Sequence, residues 1–286
     1  MSQSFSKSDD VVTSTKRKRI LITGAAGRIG SYFAEYSHQK YELRLMVLEL
    51  NEKAKAIGDF GDIVQGNLAD IETLKKHCAG IDTVVHLAGD PSPSATWNSV
   101  LSNNIIGTYN LFVAAKAAGC RRVIYASSIH AVSGYPVDVQ VKTNEPVNPG
   151  DLYGVSKCFG EAMGRYMAEQ ENLSVIAIRI GSFQPEEAAR KEKSIGMIDA
   201  WVSRSDLTQL IQKSIDAEDI RFAIFHGVSD NRFKRLDISD ARELIGYAPE
   251  SDLTRENPQL QKLHLDEKVS SHAQEDPQKA GIREEL

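Results

Sequence analysis

The chain repeats one pattern: an apolar run of strand length, then a longer stretch in which apolar residues recur at helical spacing. The runs are Arg19–Thr23, Glu42–Leu48, Thr83–Leu87, Val123–Ala126, Ser174–Arg179 and Arg221–Phe225. They are nearly continuous in Val, Ile and Leu, which predicts strands covered on both faces; a strand open to water on one side alternates apolar with polar residues. Helices are predicted between and after them at Arg28–His38, Ile71–Cys78, Asn98–Ala118, Leu152–Glu171, Asp206–Ile215 and Ile238–Ile245. Gly119 and Gly246 stand where such helices stop. A crossover helix returns the chain to the same end of the sheet, so this alternation predicts parallel βαβ units.

The expected fold is therefore α/β: a Rossmann-type doubly wound parallel sheet with a small C-terminal substrate lobe. Residues 1–17 are expected to form a flexible N-terminal extension. Residues 18–250 form the main domain, with the sheet core over 18–180 and substrate-lobe elements over 181–250. Residues 251–286 read as a polar tail with at most one short helix.

Composition narrows the function. Of 286 residues, 41% are hydrophobic and 26% charged, as in an ordinary globular enzyme. The net charge of -5 argues against a nucleic-acid partner, whose phosphates require a basic footprint. The run Lys16-Arg17-Lys18-Arg19 reads as the solvated start of the first strand. Cys78, Cys120 and Cys158 lack CxxC spacing, so neither a disulfide framework nor a metal site is expected. No apolar stretch has the length of a membrane span, and residues 1–15 carry no signal region, so no membrane partner and a cytoplasmic location are expected.

Thr23-Gly24-Ala25-Ala26-Gly27-Arg28-Ile29-Gly30 closes the first strand and opens the first helix. In that setting Gly24 permits the tight turn, Gly27 lets backbone amides approach a pyrophosphate, and Gly30 lets helix pack on strand. The helix N-terminus supplies N–H donors to the anion, with Arg28 and Ile29 at its start. Glu49 ends the second strand, placed to accept from ribose hydroxyls and to repel a 2′-phosphate, which favours NAD over NADP; Arg28 argues the other way. Gly66 to Asp70, with Asn67 and Leu68, and His86-Leu87-Ala88-Gly89 also end strands where an open α/β sheet binds ligand. His86 itself reads as a packed strand residue; the plain readings of Asn67 and Asp70 are a helix cap and a first-turn charge.

Tyr153 and Lys157 stand four residues apart, hence on one helix face. A neighbouring ammonium favours the phenolate and brings a phenol toward the range of a general base. Ser128 ends the fifth strand, where its hydroxyl can hold the oxygen that Tyr153 deprotonates.

Over residues 18–250 the chain resembles the extended short-chain dehydrogenase/reductase family, through TGAAGRIG, the NIIGT of Asn104 to Thr108, and YGVSK. More narrowly it resembles uronate dehydrogenases and archaeal NAD-dependent glucose-6-phosphate dehydrogenases, through ASSIHAV, LYGVSKCFGE, the RIGS of Arg179 to Ser182, and HGVSDN. The resemblance implies NAD-dependent oxidation of the anomeric carbon of a cyclic sugar, a hexuronate or sugar phosphate, to its lactone. Tyr153 would take the C1 hydroxyl proton, and Lys157 would lower its pKa and hold the nicotinamide ribose. It also implies cofactor contacts at Asn104 and Ile180, and sugar contacts at Ser92, Ser128, His130 and Ser182.

Two departures bear on the substrate. Ile129 replaces an Asn that follows the serine in the uronate enzymes, and the arginine that clamps the uronate carboxylate has no evident counterpart. Within Glu186 to Lys193 the candidates are Arg190, Lys191 and Lys193; Arg190 is the choice, since a guanidinium fork suits a carboxylate, and the same cluster would accept a phosphate. In this family helices over 98–118 and 152–171 often pair across a dimer, so a homo-oligomer is an option that the sequence does not decide. Two alternatives stand beside the dehydrogenase reading: a nucleotide-sugar epimerase or dehydratase, which usually needs a larger C-terminal region, and a non-catalytic NAD-binding sensor.

Overall fold

The computed structural model describes residues 17–262. The expected N-terminal extension up to residue 16 and the expected tail beyond residue 262 lie outside the described residues.

The strands are β1 (Arg19–Thr23), β2 (Glu42–Val47), β3 (Asp62–Gln65), β4 (Thr83–His86), β5 (Arg122–Ser128), β6 (Ser174–Ile180), β7 (Ser182–Phe183), β8 (Trp201–Val202) and β9 (Phe222–Gly227). Seven form one sheet in the order β3-β2-β1-β4-β5-β6-β9, every neighbouring pair parallel, while β7 and β8 form a separate parallel pair. The main helices are α1 (Arg28–Ser37), α2 (Ile71–Cys78), α3 (Gly107–Ala117), α4 (Leu152–Glu169), α5 (Arg204–Asp216) and α6 (Ser239–Ile245). This is the doubly wound Rossmann-type sheet that the hydrophobic pattern predicts.

The apolar runs lack polar alternation because successive residues of one strand serve two separate cores. Ile20, Ile22, Val85, Ile124 and Ile176 face the side of α1 and α5, with Phe33 and Leu210. Leu21, Val84, Val123, Val175 and Ala177 face the side of α2 and α3, with Leu74 and Phe112. The α4 helix meets the sheet closely: a Cβ on Gly160 would lie 2.1 Å from the Tyr125 ring. Gly119 and Gly246 have φ of 73° and 63°, the left-handed backbone suited to a helix stop.

The single helix predicted over 98–118 is three pieces: a turn at Trp97–Ser99, a π-helical segment at Val100–Ile106, and α3. The wider winding coincides with Asn104, which turns inward and is 1% exposed. The tail reading is corrected over 251–262. There Leu253–Glu256 (α7) and Pro258–Lys262 (α8) dock on the molecule. Leu253 packs with Ala189 and Trp201, and buried Asn257 donates to Lys191 O at 3.2 Å and Ser194 Oγ at 2.8 Å. Composition conceals this docking because hydrogen bonds accomplish much of it: Asp252 Oδ1 accepts from Arg232 N at 3.4 Å and Leu253 N donates to Asn231 Oδ1 at 3.0 Å, beside the bonds of Asn257. In the basic run, Lys18 pairs with Asp216 at 3.0 Å and Arg19 with Glu42 at 2.8 Å; Lys16 lies outside the described residues. No helix among the described residues is long and apolar enough to cross a membrane.

Candidate active site

A cleft of about 980 Å³ runs along the carboxyl ends of β1, β2, β4, β5 and β6. Strand order reverses between β1 and β4, so the loops leaving them diverge and open a crevice. Gly24, at φ +69°, turns the chain sharply after β1, and a Cβ there would meet Ala88 N at 2.9 Å. A Cβ on Gly30 would lie 2.5 Å from Gly24 O, so the helix sits on the turn only with glycine. Asp70, Asp151 and Ser203 cap the starts of α2, α4 and α5 with side chains; the start of α1 has no side-chain cap. Its first N–H groups, at Arg28 and Ile29, stand where an anion would be held. Glu49, Asn51 and Lys53 line the far end, beyond β2. A glycine cradle, an uncapped helix start and a carboxylate one strand away fit the pyrophosphate and ribose of a dinucleotide.

At the other end stand Ser128, Tyr153 and Lys157. Ser128 ends β5; its Oγ accepts from His130 N at 3.2 Å, which leaves the hydroxyl proton free to be donated. Tyr153 and Lys157 share a face of α4, and the Lys157 Nζ lies 5.4 Å from the centre of the Tyr153 ring and donates to Ala126 O at 2.9 Å. Burial pulls Lys157 down to about 8. Burial also holds the Tyr153 phenol above its ordinary value; the Ser128 hydroxyl works against this, while Asp151 and Asp90 reinforce it. The expectation that Lys157 sets the phenol low is not met in this state. The ammonium lies over the ring face, and loss of water is the larger effect.

Beside them His130 Nδ1 meets Asp151 Oδ2 at 2.6 Å, and the His130 ring stands edge-on to Tyr153 at 5.4 Å between centroids. Beneath the site Glu161, one turn beyond Lys157, accepts from Ser127 Oγ at 2.6 Å and from Arg179 Nε and Nη2 at 2.9 Å each. This buried group ties β5, β6 and α4 together. His86 is packed as expected: its Nδ1 meets Thr23 Oγ1 at 2.8 Å, and burial lowers its pKa to about 3, which leaves it neutral.

Most expected positions line this cleft: Gly24, Gly27, Arg28, Ile29, Gly30, Glu49, Asn67, Leu68, Leu87, Ala88, Gly89, Ser128, His130, Tyr153, Lys157, Ile180 and Ser182. Three do not. Asn104 is spent beneath it, accepting from Asp90 N at 2.7 Å and donating to Asp90 O and Ser156 Oγ at 3.0 Å each. Ser92 lies outside the lining, its Oγ accepting from Ser94 N at 3.2 Å. Arg190 points away toward Glu256 at 3.6 Å; this pairing with the docked C-terminal segment is what the sequence conceals. The reading from sequence passed over Asp90, Gln184 and Lys53, which line the cleft, and the role of Asp151. Asp151 was detectable as an N-cap, the residue type that opens helices. Among the described residues no group of three or more His, Cys, Asp or Glu is arranged to hold a metal ion.

Fold and cleft together define a dinucleotide-binding oxidoreductase of the Rossmann type, with Ser128, Tyr153 and Lys157 at one end of its cleft. Residues 20–219 match the NAD dependent epimerase/dehydratase family, and the chain belongs to that family. It is 34% identical over 248 residues to the NAD-dependent glucose-6-phosphate dehydrogenase of Haloferax volcanii, covering 82% of this chain and 93% of that protein. It is 32% identical over 257 residues to the uronate dehydrogenase of Pseudomonas syringae pv. tomato, covering 89% of this chain and 90% of that protein. Among solved structures, a Tyr-to-Ala variant of Agrobacterium tumefaciens uronate dehydrogenase complexed with NAD superposes with a TM-score of 0.76. That match has 32% identity and covers 91% of this chain and 92% of that one.

Proposed function

We propose that this protein catalyses NAD-dependent oxidation of the anomeric carbon of a cyclic sugar, a hexuronate or a sugar phosphate, to its lactone. The observation that carries the reading is convergence. Ser128, Tyr153 and Lys157 stand at one end of the cleft whose other end offers the uncapped start of α1 and Glu49. The relatives named for NAD-dependent dehydrogenation of glucose-6-phosphate and of uronates support the same chemistry.

NAD, when bound, supplies the hydride acceptor. The start of α1 holds the pyrophosphate, and Glu49 accepts from the ribose hydroxyls and repels a 2′-phosphate. Leu87, Ala88, Gly89 and Ile180, which line the same cleft, would hold the rest of the cofactor. Ser128 donates to the C1 oxygen, and Tyr153 as phenolate takes the C1 hydroxyl proton. Lys157 adds positive charge beside the phenol and donates to the nicotinamide ribose. His130, Ser182 and Gln184 face the remaining sugar hydroxyls. Arg190 would have to leave Glu256 to reach a carboxylate or phosphate, so neutral aldoses belong in the test on equal terms.

The test follows NADH absorbance with purified protein, NAD or NADP, and a panel of glucuronate, galacturonate, glucose-6-phosphate and neutral aldoses. Turnover with NAD and any of these sugars is the expected result. Silence across the panel, with NAD retained through purification and a nucleotide-sugar interconverted, would transfer the site to epimerase chemistry.

A further inference from the structure

The proposed reaction leaves a proton on Tyr153, which must reach water before the next turnover. Two neighbours are poorly placed to take it. Asn104 has both ends of its amide engaged by Asp90 and Ser156. Lys157 is 7% exposed and already donates to Ala126 O.

On the other side of Tyr153 the arrangement differs. His130 lines the same cleft, edge-on to the Tyr153 ring at 5.4 Å, and its side chain keeps 29% of its surface open. Its Nδ1 is clamped at 2.6 Å by Asp151 Oδ2. The other oxygen of Asp151 accepts from Gly154 N at 2.7 Å, so the carboxylate is anchored at the start of the helix that carries Tyr153 and Lys157. His130 Nε2 has no hydrogen-bond partner among the described residues. The charged or titratable groups facing His130 and Tyr153 are Asp151, Asp90 and Lys157; Ser182, Gln184 and Ile180, which also line the cleft, carry no charge. An imidazole fixed through one nitrogen, with the other open to a wet cleft, is built to accept a proton and release it.

We propose that His130, oriented by Asp151, carries the proton from Tyr153 to solvent. This rests on the dehydrogenase reading of the site. In the step, the Tyr153 phenol gives its proton through a single water to His130 Nε2, the water gaining one proton and losing another. The Nδ1–H stays on the ring, donated to Asp151 Oδ2, and the imidazolium then releases the Nε2 proton to bulk water. Phenolate and neutral imidazole are restored, one proton has left, and no electrons have moved.

The experiment compares wild type, His130→Gln and Asp151→Asn on the best sugar of the panel. Asparagine caps a helix as well as aspartate does, so Asp151→Asn removes the charge and keeps the start of α4. Both variants are expected to lose kcat by about 30-fold, a larger factor than any rise in KM from the lost sugar contact. The kcat–pH profile of His130→Gln should differ in shape from that of wild type, since the relay group is gone. Added imidazole should restore kcat in His130→Gln and leave wild type unchanged. If KM rises while kcat, its pH profile and the imidazole response stay as in wild type, His130 is a sugar contact only and the relay is overturned. Wild-type silence on every sugar would instead fail the dehydrogenase reading, and the relay with it.

Discussion

Lys157 is held almost out of water, and burial pulls its pKa from 10.5 to about 8. The unfolded chain binds that proton more tightly, so folding is opposed wherever the unfolded lysine is charged. The penalty is full below pH 8 and fades between there and the ordinary lysine value; a shift of this size corresponds to about 3 kcal/mol. Lys157→Met removes the penalty and forfeits the bond to Ala126 O. The variant should gain about 1–2 kcal/mol at neutral pH, losing the advantage by about pH 10, while sugar oxidation disappears. Thermal melts of both proteins across pH decide this, and an equal or lower Tm for the variant at pH 7 would refute it. Tyr153→Phe should lower turnover by about a hundredfold or more and leave NAD binding intact, read by NADH formation beside a binding titration. At this scale the sequence displayed the chemistry better than the recognition. Tyr153 and Lys157 sit four residues apart on one helix, and Ser128 closes an apolar strand. The partners of Asn104 and Arg190 are distant in the chain and leave no local mark.

At the scale of elements, Glu161 joins one helix to two strands. It is 4% exposed and Arg179 1%, so removing one charge strands the other out of water. Glu161→Gln should destabilise the fold by about 3–5 kcal/mol, and a double variant with Met at both positions should recover most of it. Denaturant unfolding of the two variants tests this; a double variant as weak as the single would show that shape, and not charge balance, governs the site. The sheet and most helices were legible in the sequence because the two cores demand an uninterrupted apolar run in each strand. The π-helical turn at Val100–Ile106 was not, since it follows from the inward bonds of Asn104 and not from periodicity. Nor was the docking of 251–262, where hydrogen bonds supplement a thin apolar contact.

For the whole molecule, a dinucleotide held along the cleft would touch loops from both halves of the sheet. Bound only by the folded chain, NAD at a hundred times its Kd should add about 2.7 kcal/mol of stability. That corresponds to a Tm rise of several degrees, with a smaller shift for NADP. Glu49→Gln should narrow the difference, and equal shifts in wild type would remove Glu49 from cofactor choice. The docked segment at Leu253–Lys262 has a consequence for synthesis. Asn257 and Leu253 brace the stretch from Ala189 to Trp201, which leads out of the sugar-side wall at Ser182 to Gln184. A nascent chain still holding those residues in the ribosomal tunnel already has the strands and glycine turn for its dinucleotide. The proposed sugar-side wall waits for the helices at Leu253–Lys262 to emerge, so affinity for the cofactor should appear earlier in the life of each molecule than the capacity to turn over.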